Sequence, residues 1–192
     1  MSDLLFDRRQ SVLAVIDVQA RFLDKLPPQQ REPLVGRIAW LIGVARHLSV
    51  PVVAMAEDVE QNGPPVGEVT DALPPETRVF DKRVFGLAGQ GDILDAVRAS
   101  GRTEAVLLGL ETDVCVSQSA LGLLAAGYRV VAVSDATASP GEHHAAGLAR
   151  MKQAGVTITT VKGIFYEWAR DLETLGHTRS AMGAILPAGL TL

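Results

Sequence analysis

Three residues of complementary chemistry each stand where an apolar run of this 192-residue chain ends. Asp17 follows Leu13-Ala14-Val15-Ile16, Lys82 follows Arg78-Val79-Phe80-Asp81, and Cys115 comes shortly after Ala105-Val106-Leu107-Leu108-Gly109-Leu110. A thiol that cleaves an acyl bond must lose its proton, attack a carbonyl, have the oxyanion stabilised and see the leaving group protonated. Asp17 can take the thiol proton and return it to a departing amine. Lys82 can hold Asp17 and the thiolate ionised, an opposite-charge effect that commonly moves a pKa by about 1–3 units. Cys115 sits near the N–H groups that open the following helix, which favour a thiolate. Backbone N–H groups around Glu111 and Cys115 can supply an oxyanion hole. Taken singly, each residue has an ordinary explanation: Asp17 as a loop cap, Lys82 as a solvated charge beside Arg83, Cys115 as a small buried hydrophobe. Their conjunction at one end of three runs is what points to chemistry.

Other reactive groups are sparse. Of the four histidines, His47 falls late in a helical pattern, and His143 and His144 read as the exposed first turn of another. No pair, His177 included, has zinc-like i, i+4 spacing with a carboxylate in register, so no metal is expected. Asp17-Val18-Gln19-Ala20-Arg21-Phe22 lacks the glycines that let a backbone approach a pyrophosphate, so no nucleotide or other cofactor is expected. A net charge of −4 with scattered Lys and Arg leaves no footprint for nucleic acid. One cysteine excludes an internal disulfide and fits a reducing compartment. The start, Met1-Ser2-Asp3-Leu4-Leu5-Phe6-Asp7, lacks a basic n-region, and no run approaches the roughly 20 apolar residues of a membrane span. The expectation is a cytoplasmic location, no membrane partner and a small-molecule substrate.

The elements that must position these groups follow from periodicity. Five or six short runs rich in Val, Ile and Leu, at residues 11–16, 51–55, 78–81, 105–110, 129–134 and 156–161, alternate with segments of helical spacing, the βαβ pattern. Several are apolar at almost every position, which predicts a parallel sheet covered by helices on both faces. Residues 30–48 carry Leu34, Ile38, Leu41, Ile42, Ala45 and Leu48 on one helical face, closed before Pro51. Further helices fit residues 91–100, 114–126 and 143–154, each followed by a glycine, Gly101, Gly127 and Gly155, the usual left-handed cap. Residues 57–77 read as a long loop, and the apolar tail from Ile185 either packs on a partner or frays. The length and 47% hydrophobic content suit one domain over residues 1–192.

The set Asp17-x-Gln19-x-x-Phe22, then Lys82, then Gly109-Leu110-Glu111-Thr112-Asp113-x-Cys115-Val116 resembles the isochorismatase-like cysteine hydrolases, which include nicotinamidases and N-carbamoylsarcosine amidohydrolases. The resemblance runs from Ser11 to about Asp171 and takes in Ser134-Asp135-Ala136 and His144-x-x-x-Leu148-x-Arg150-Met151. It implies an α/β three-layer Rossmann-like sandwich with a six-stranded parallel sheet, a triad of Asp17, Lys82 and Cys115, a thioester intermediate and a cis peptide at Leu110–Glu111. Nicotinamidases carry an Asp-x-His set after the second strand, where this chain has Met55-Ala56-Glu57-Asp58, so a metal-anchored pyridine pocket is not expected. The stretch from Glu57 to Glu68 is similar to the isochorismatase-domain-containing proteins. Not all members that cleave isochorismate use a cysteine, so Cys115 favours amide or ureido C–N cleavage. The alternatives are vinyl ether hydrolysis with Asp17 alone as acid, and a non-catalytic or redox-sensing member of the fold. Gln19, Phe22, Glu57, Phe85 and Thr112 are the expected substrate contacts. The family's habit of assembling, with Trp40, Trp168 and the apolar tail as contact surface, predicts a homo-oligomer.

Overall fold

Residues that can face water on neither side dictate the sheet. Every residue of β1 (Ser11–Ile16) and β4 (Glu104–Leu110) is buried, because successive side chains enter different cores. Leu13, Val15, Val106 and Leu108 join one face, while Val12, Ala14, Ile16, Ala105 and Leu107 join the other. Burying a large aliphatic side chain contributes about 1.5–3 kcal/mol, so a one-residue slip of either strand would exchange both faces at once. The computed structural model describes residues 4–183 and 185–192. The part of the N-terminal reading that rests on Met1 to Asp3 lies outside the described residues.

Four further strands, β2 (Val52–Glu57), β3 (Val79–Lys82), β5 (Arg129–Ala138) and β6 (Thr157–Thr159), complete a six-stranded sheet of order β3-β2-β1-β4-β5-β6. All five pairings are parallel. This is the predicted three-layer α/β sandwich. The order reverses between β1 and β4, and in open parallel sheets ligands bind outside the strands' carboxyl ends at that point.

One face is covered by α2 (Pro28–His47) and α8 (Val161–Ala169), the other by α5 (Gly91–Ala99), α6 (Ser117–Ala125) and α7 (His143–Gln153). Helix α2 starts on Pro28, whose fixed φ suits a first turn, and presents Leu34, Ile38, Leu41, Ile42 and Ala45 to the core as its spacing predicts. The glycines expected to close helices, Gly101, Gly127 and Gly155, all have positive φ. The 57–77 segment is not a plain loop: it holds the short helices α3 (Val59–Asn62) and α4 (Gly67–Ala72), the second of which buries Val69. The chain ends in α9 (Leu172–Met182), capped by the Asp171 carboxylate on the Thr174 N–H. A further short helix, α1 (Ala20–Leu23), follows β1.

Two expectations about an outer contact surface are corrected. Trp40 stacks edge-on against Phe165 at 5.1 Å, and Trp168 is fully buried with its indole N–H on Ser11 Oγ. Both rings are core. Within the tail, Leu190 is buried and the Ala188 carbonyl accepts from Arg37, while Ile185 is exposed.

Gly109 brings β4 to the site. Its φ is +120°, it sits where the β4–β5 register shifts, and a Cβ there would lie 1.9 Å from the Ile16 carbonyl oxygen. Gly109→Ala should therefore destabilise the protein by about 3 kcal/mol, from backbone strain and overpacking together. Urea unfolding at constant m-value reads this directly.

Candidate active site

Asp17 leaves β1 in a left-handed conformation, φ 51°, that short polar residues tolerate best. Its N–H bonds to the Met55 carbonyl and its carboxylate has no exposed surface. Lys82 Nζ lies 3.0 Å from Oδ2. Lys82 and Cys115 both favour the charged carboxylate as hydrogen-bond partners. Burial dominates and raises the Asp17 pKa to about 6, although Lys82 pulls the other way.

Lys82 is the last residue of β3, and its side chain is also fully buried. The ammonium donates to the Val84 carbonyl at 2.7 Å and stands 3.5 Å from Glu57 Oε2 and 3.7 Å from Cys115 Sγ. Burial works against its charge, but Asp17, Cys115 and Glu57 together outweigh burial and raise its pKa. The residue stays an ammonium. Asp17, Glu57 and Cys115 place one donor atom each within 4.8 Å of one another, a constellation compatible with a cation; the Lys82 ammonium supplies that charge.

Cys115 departs from the sequence expectation. It lies within a π-helical turn, Thr112–Val116, and not in the first turn of an α-helix. The extra residue per turn marks many functional sites. The Glu111 carbonyl accepts the Val114 and Val116 N–H groups at 3.2 and 3.0 Å and passes over the Cys115 N–H between them. The Leu110–Glu111 peptide is cis, as the resemblance implied. The thiol donates to Glu57 Oε2 at 3.2 Å. Burial, and next the Asp17 charge, push the thiol pKa up despite Lys82, so the expected lowering is corrected: the resting site holds a protonated thiol.

The turn is pinned from three sides. Gly147 of α7 packs so closely that a Cβ would come within 2.8 Å of the Asp113 backbone. Ser139 donates to the Asp113 carboxylate at 2.6 Å. Thr112 Oγ1 is 3.0 Å from Thr137 Oγ1 and 2.8 Å from His144 Nδ1, and Thr137 donates to the Gly109 carbonyl. Because each hydroxyl has one proton, the chain runs from His144 Nδ1–H through Thr112 and Thr137 to Gly109. Burial lowers the His144 pKa, in keeping with that neutral tautomer.

Several expected substrate contacts have other employment. The Gln19 amide donates to the Glu57 and Gly63 carbonyls and accepts the Glu57 N–H, clamping the end of β2. Thr112 is consumed by the chain just described. Phe85 is exposed and lines a shallow depression with Arg83, Ala88 and Gln118. Phe22 is half-buried, with Lys25 Nζ over its ring at 4.8 Å, and Lys25 pairs with the Glu111 carboxylate. Only Glu57 of this group touches Cys115 and Lys82. His144 was passed over as an exposed first-turn residue; its proximity to Thr112 has no local signal in the sequence.

Residues 11–163 match the isochorismatase domain. The chain belongs to the isochorismatase family. It is 33% identical over 165 residues to the secreted isochorismatase effector Isc1 of Phytophthora sojae, covering 84% of this chain and 78% of that protein. Its fold is similar to the octameric YcaC hydrolase of Escherichia coli, with a TM-score of 0.85 at 23% identity over 95% of this chain and 90% of that one. A cysteine hydrolase from Pseudomonas syringae gives 0.73 at 18% identity, over 87% and 98%. The protein is thus an isochorismatase-family hydrolase. No helix among the described residues is long and apolar enough to cross a membrane.

In this family member, Gln19→Ala would strip the Glu57 N–H of its acceptor and the Gly63 carbonyl of its Gln19 donor, while the Glu57 carbonyl would keep Asn62. The expected cost is about 2–3 kcal/mol in urea unfolding, with a shifted Glu57 lowering turnover as well. Wild-type stability in that variant would show the clamp to be dispensable.

Proposed function

We propose that this chain hydrolyses a small amide, ureido or related acyl compound through a thioester on Cys115. The observation that carries the reading is the contact set itself: a thiol, an ammonium and a carboxylate poised near neutrality, closed around one another at the sheet's carboxyl edge. Asp17 accepts the thiol proton as Sγ attacks the carbonyl carbon. The N–H groups of Glu111 and Cys115 receive the oxyanion, and Asp17 returns the proton to the departing nitrogen as the C–N bond breaks. Water then attacks the thioester, Asp17 takes its proton, and the acid product leaves as the thiol is restored. Lys82 keeps its charge throughout and offsets the negative charge that the thiolate adds. Glu57 stands at the thiol.

Cys115→Ala should lower turnover by at least about 10⁴-fold while leaving the unfolding transition in place. Asp17→Asn should cost about 10³-fold, since an amide can neither take nor return the proton. Intact-protein mass spectrometry during turnover should reveal an acyl adduct in the wild type and none in Cys115→Ala. Turnover that survives Cys115→Ala would instead support vinyl ether hydrolysis with Asp17 as the acid.

The Asp17 carboxylate near pKa 6 also sets a pH dependence. Below about pH 6 it is protonated and cannot accept the thiol proton. The kcat/KM should therefore fall about tenfold per unit on the acid side of 6, and a flat profile between pH 5 and 7 would contradict this assignment.

A homo-oligomer is proposed as well. Val84 and Phe85 are exposed apolar residues beside the strand that carries Lys82, and the YcaC neighbour is an octamer.

A further inference from the structure

Glu57 is the most exposed group around the thiol: its side chain is about one-fifth exposed, where Asp17 and Lys82 have no exposed surface and Cys115 is 4% exposed. Its Oε2 accepts the thiol proton at 3.2 Å and faces the ammonium at 3.5 Å. Its Oε1 has no hydrogen-bond partner among the described residues. Gln19 fixes the Glu57 backbone through both its N–H and its carbonyl, so this carboxylate is held in place at the thiol. The partly exposed Glu57 carboxylate thus stands against Sγ with one oxygen left for a further donor.

The charges around it do not offset that oxygen. Lys82 is the only cation in contact with the thiol among the described residues, and it is already shared between Asp17 and Glu57. At the neighbouring strand ends, Arg83 is paired with Asp58 at 2.6 Å and stands 3.6 Å from Asp81, and Lys25 is paired with Glu111. Above the Asp17 pKa the site therefore carries two carboxylates against one ammonium.

We propose that Glu57 makes the Cys115 site selective for uncharged amide-type compounds, receiving a substrate N–H on Oε1 and repelling any carboxylate placed next to the scissile bond. The proposal rests on the thiol-hydrolase reading and narrows its substrate class. Neutral amides and ureas satisfy both conditions, since each offers an N–H donor to the carboxylate and an uncharged carbonyl to the sulfur. A carboxylate-flanked amide offers the same N–H and carbonyl but brings the charge that Glu57 repels.

The test needs no knowledge of the natural substrate, because Cys115 is the only cysteine and alkylation reports on it alone. Iodoacetamide and iodoacetate share one reaction and differ in a single charge. Their rate ratio cancels the thiolate fraction and isolates the field at the sulfur. In the wild type at low salt the ratio should exceed that of free 2-mercaptoethanol by about tenfold, the order expected of one like charge a few ångströms away near a protein surface. It should shrink towards the free-thiol value at about 1 M salt, where the screening length drops to about 3 Å. Glu57→Gln should lower the ratio about tenfold by speeding iodoacetate, and Glu57→Asp should keep it high.

A wild-type ratio equal to that of the free thiol overturns the proposal, as does a thiol that iodoacetamide cannot reach in the native protein. A high ratio that survives both Glu57→Gln and salt places its cause elsewhere and overturns it too. A high ratio that survives Glu57→Gln alone also overturns it, and Glu57→Asp, which keeps the charge, controls for a Glu57→Gln variant that folds poorly. The thiol-hydrolase reading fails on a different result, turnover that persists in Cys115→Ala.

Discussion

Moving an ammonium out of water costs several kcal/mol even after the protein relaxes, so Lys82, with no exposed side-chain surface, must be surrounded by acceptors or give up its proton. The fold surrounds it. Asp17 comes from the end of β1, Glu57 from the end of β2, the Val84 carbonyl from the turn after β3 and the thiol from the turn after β4. Each is useful to the lysine only because the parallel sheet brings four carboxyl ends to one edge. Removing any partner leaves a buried charge uncompensated. The ammonium thus sets the positions of the groups around it as much as they set its charge.

The same crowding decides where the protons rest. Lys82 is too widely shared to hold two carboxylates and a thiol ionised together. The ammonium keeps its proton, Asp17 sits near neutrality, and the thiol keeps its hydrogen on Glu57. Helix N–H groups and one cation, which would favour a thiolate on an open surface, are outweighed by burial and by the neighbouring Asp17 carboxylate. In such a site the base acts during the attack, with no standing thiolate required.

The geometry is protected by close packing away from the reacting atoms. Gly109 lets β4 pass the Ile16 carbonyl, Gly147 lets α7 rest on the π turn, and the His144-Thr112-Thr137 chain ties that turn to β4. None of these residues reaches the thiol. They hold the segment that does, and interiors packed this densely transmit small displacements.

What could be read from the sequence is what local patterning encodes. Runs apolar at every position required a sheet covered on both faces, helical spacing over residues 30–48 required α2, and Asp17, Lys82 and Cys115 at the ends of three runs located the edge where chemistry could occur. The tertiary structure alone decided the rest. Gln19 and Thr112 looked like groups free to bind a substrate, yet partners 38 and 25–32 positions away absorb them. Phe85 turned outward, Trp40 and Trp168 turned inward, and the thiol stayed protonated. Periodicity reports whether a side chain is buried, because burial repeats with the backbone. It does not report which distant donor or charge that side chain meets, because hydrogen bonds and desolvation depend on residues that only folding brings together.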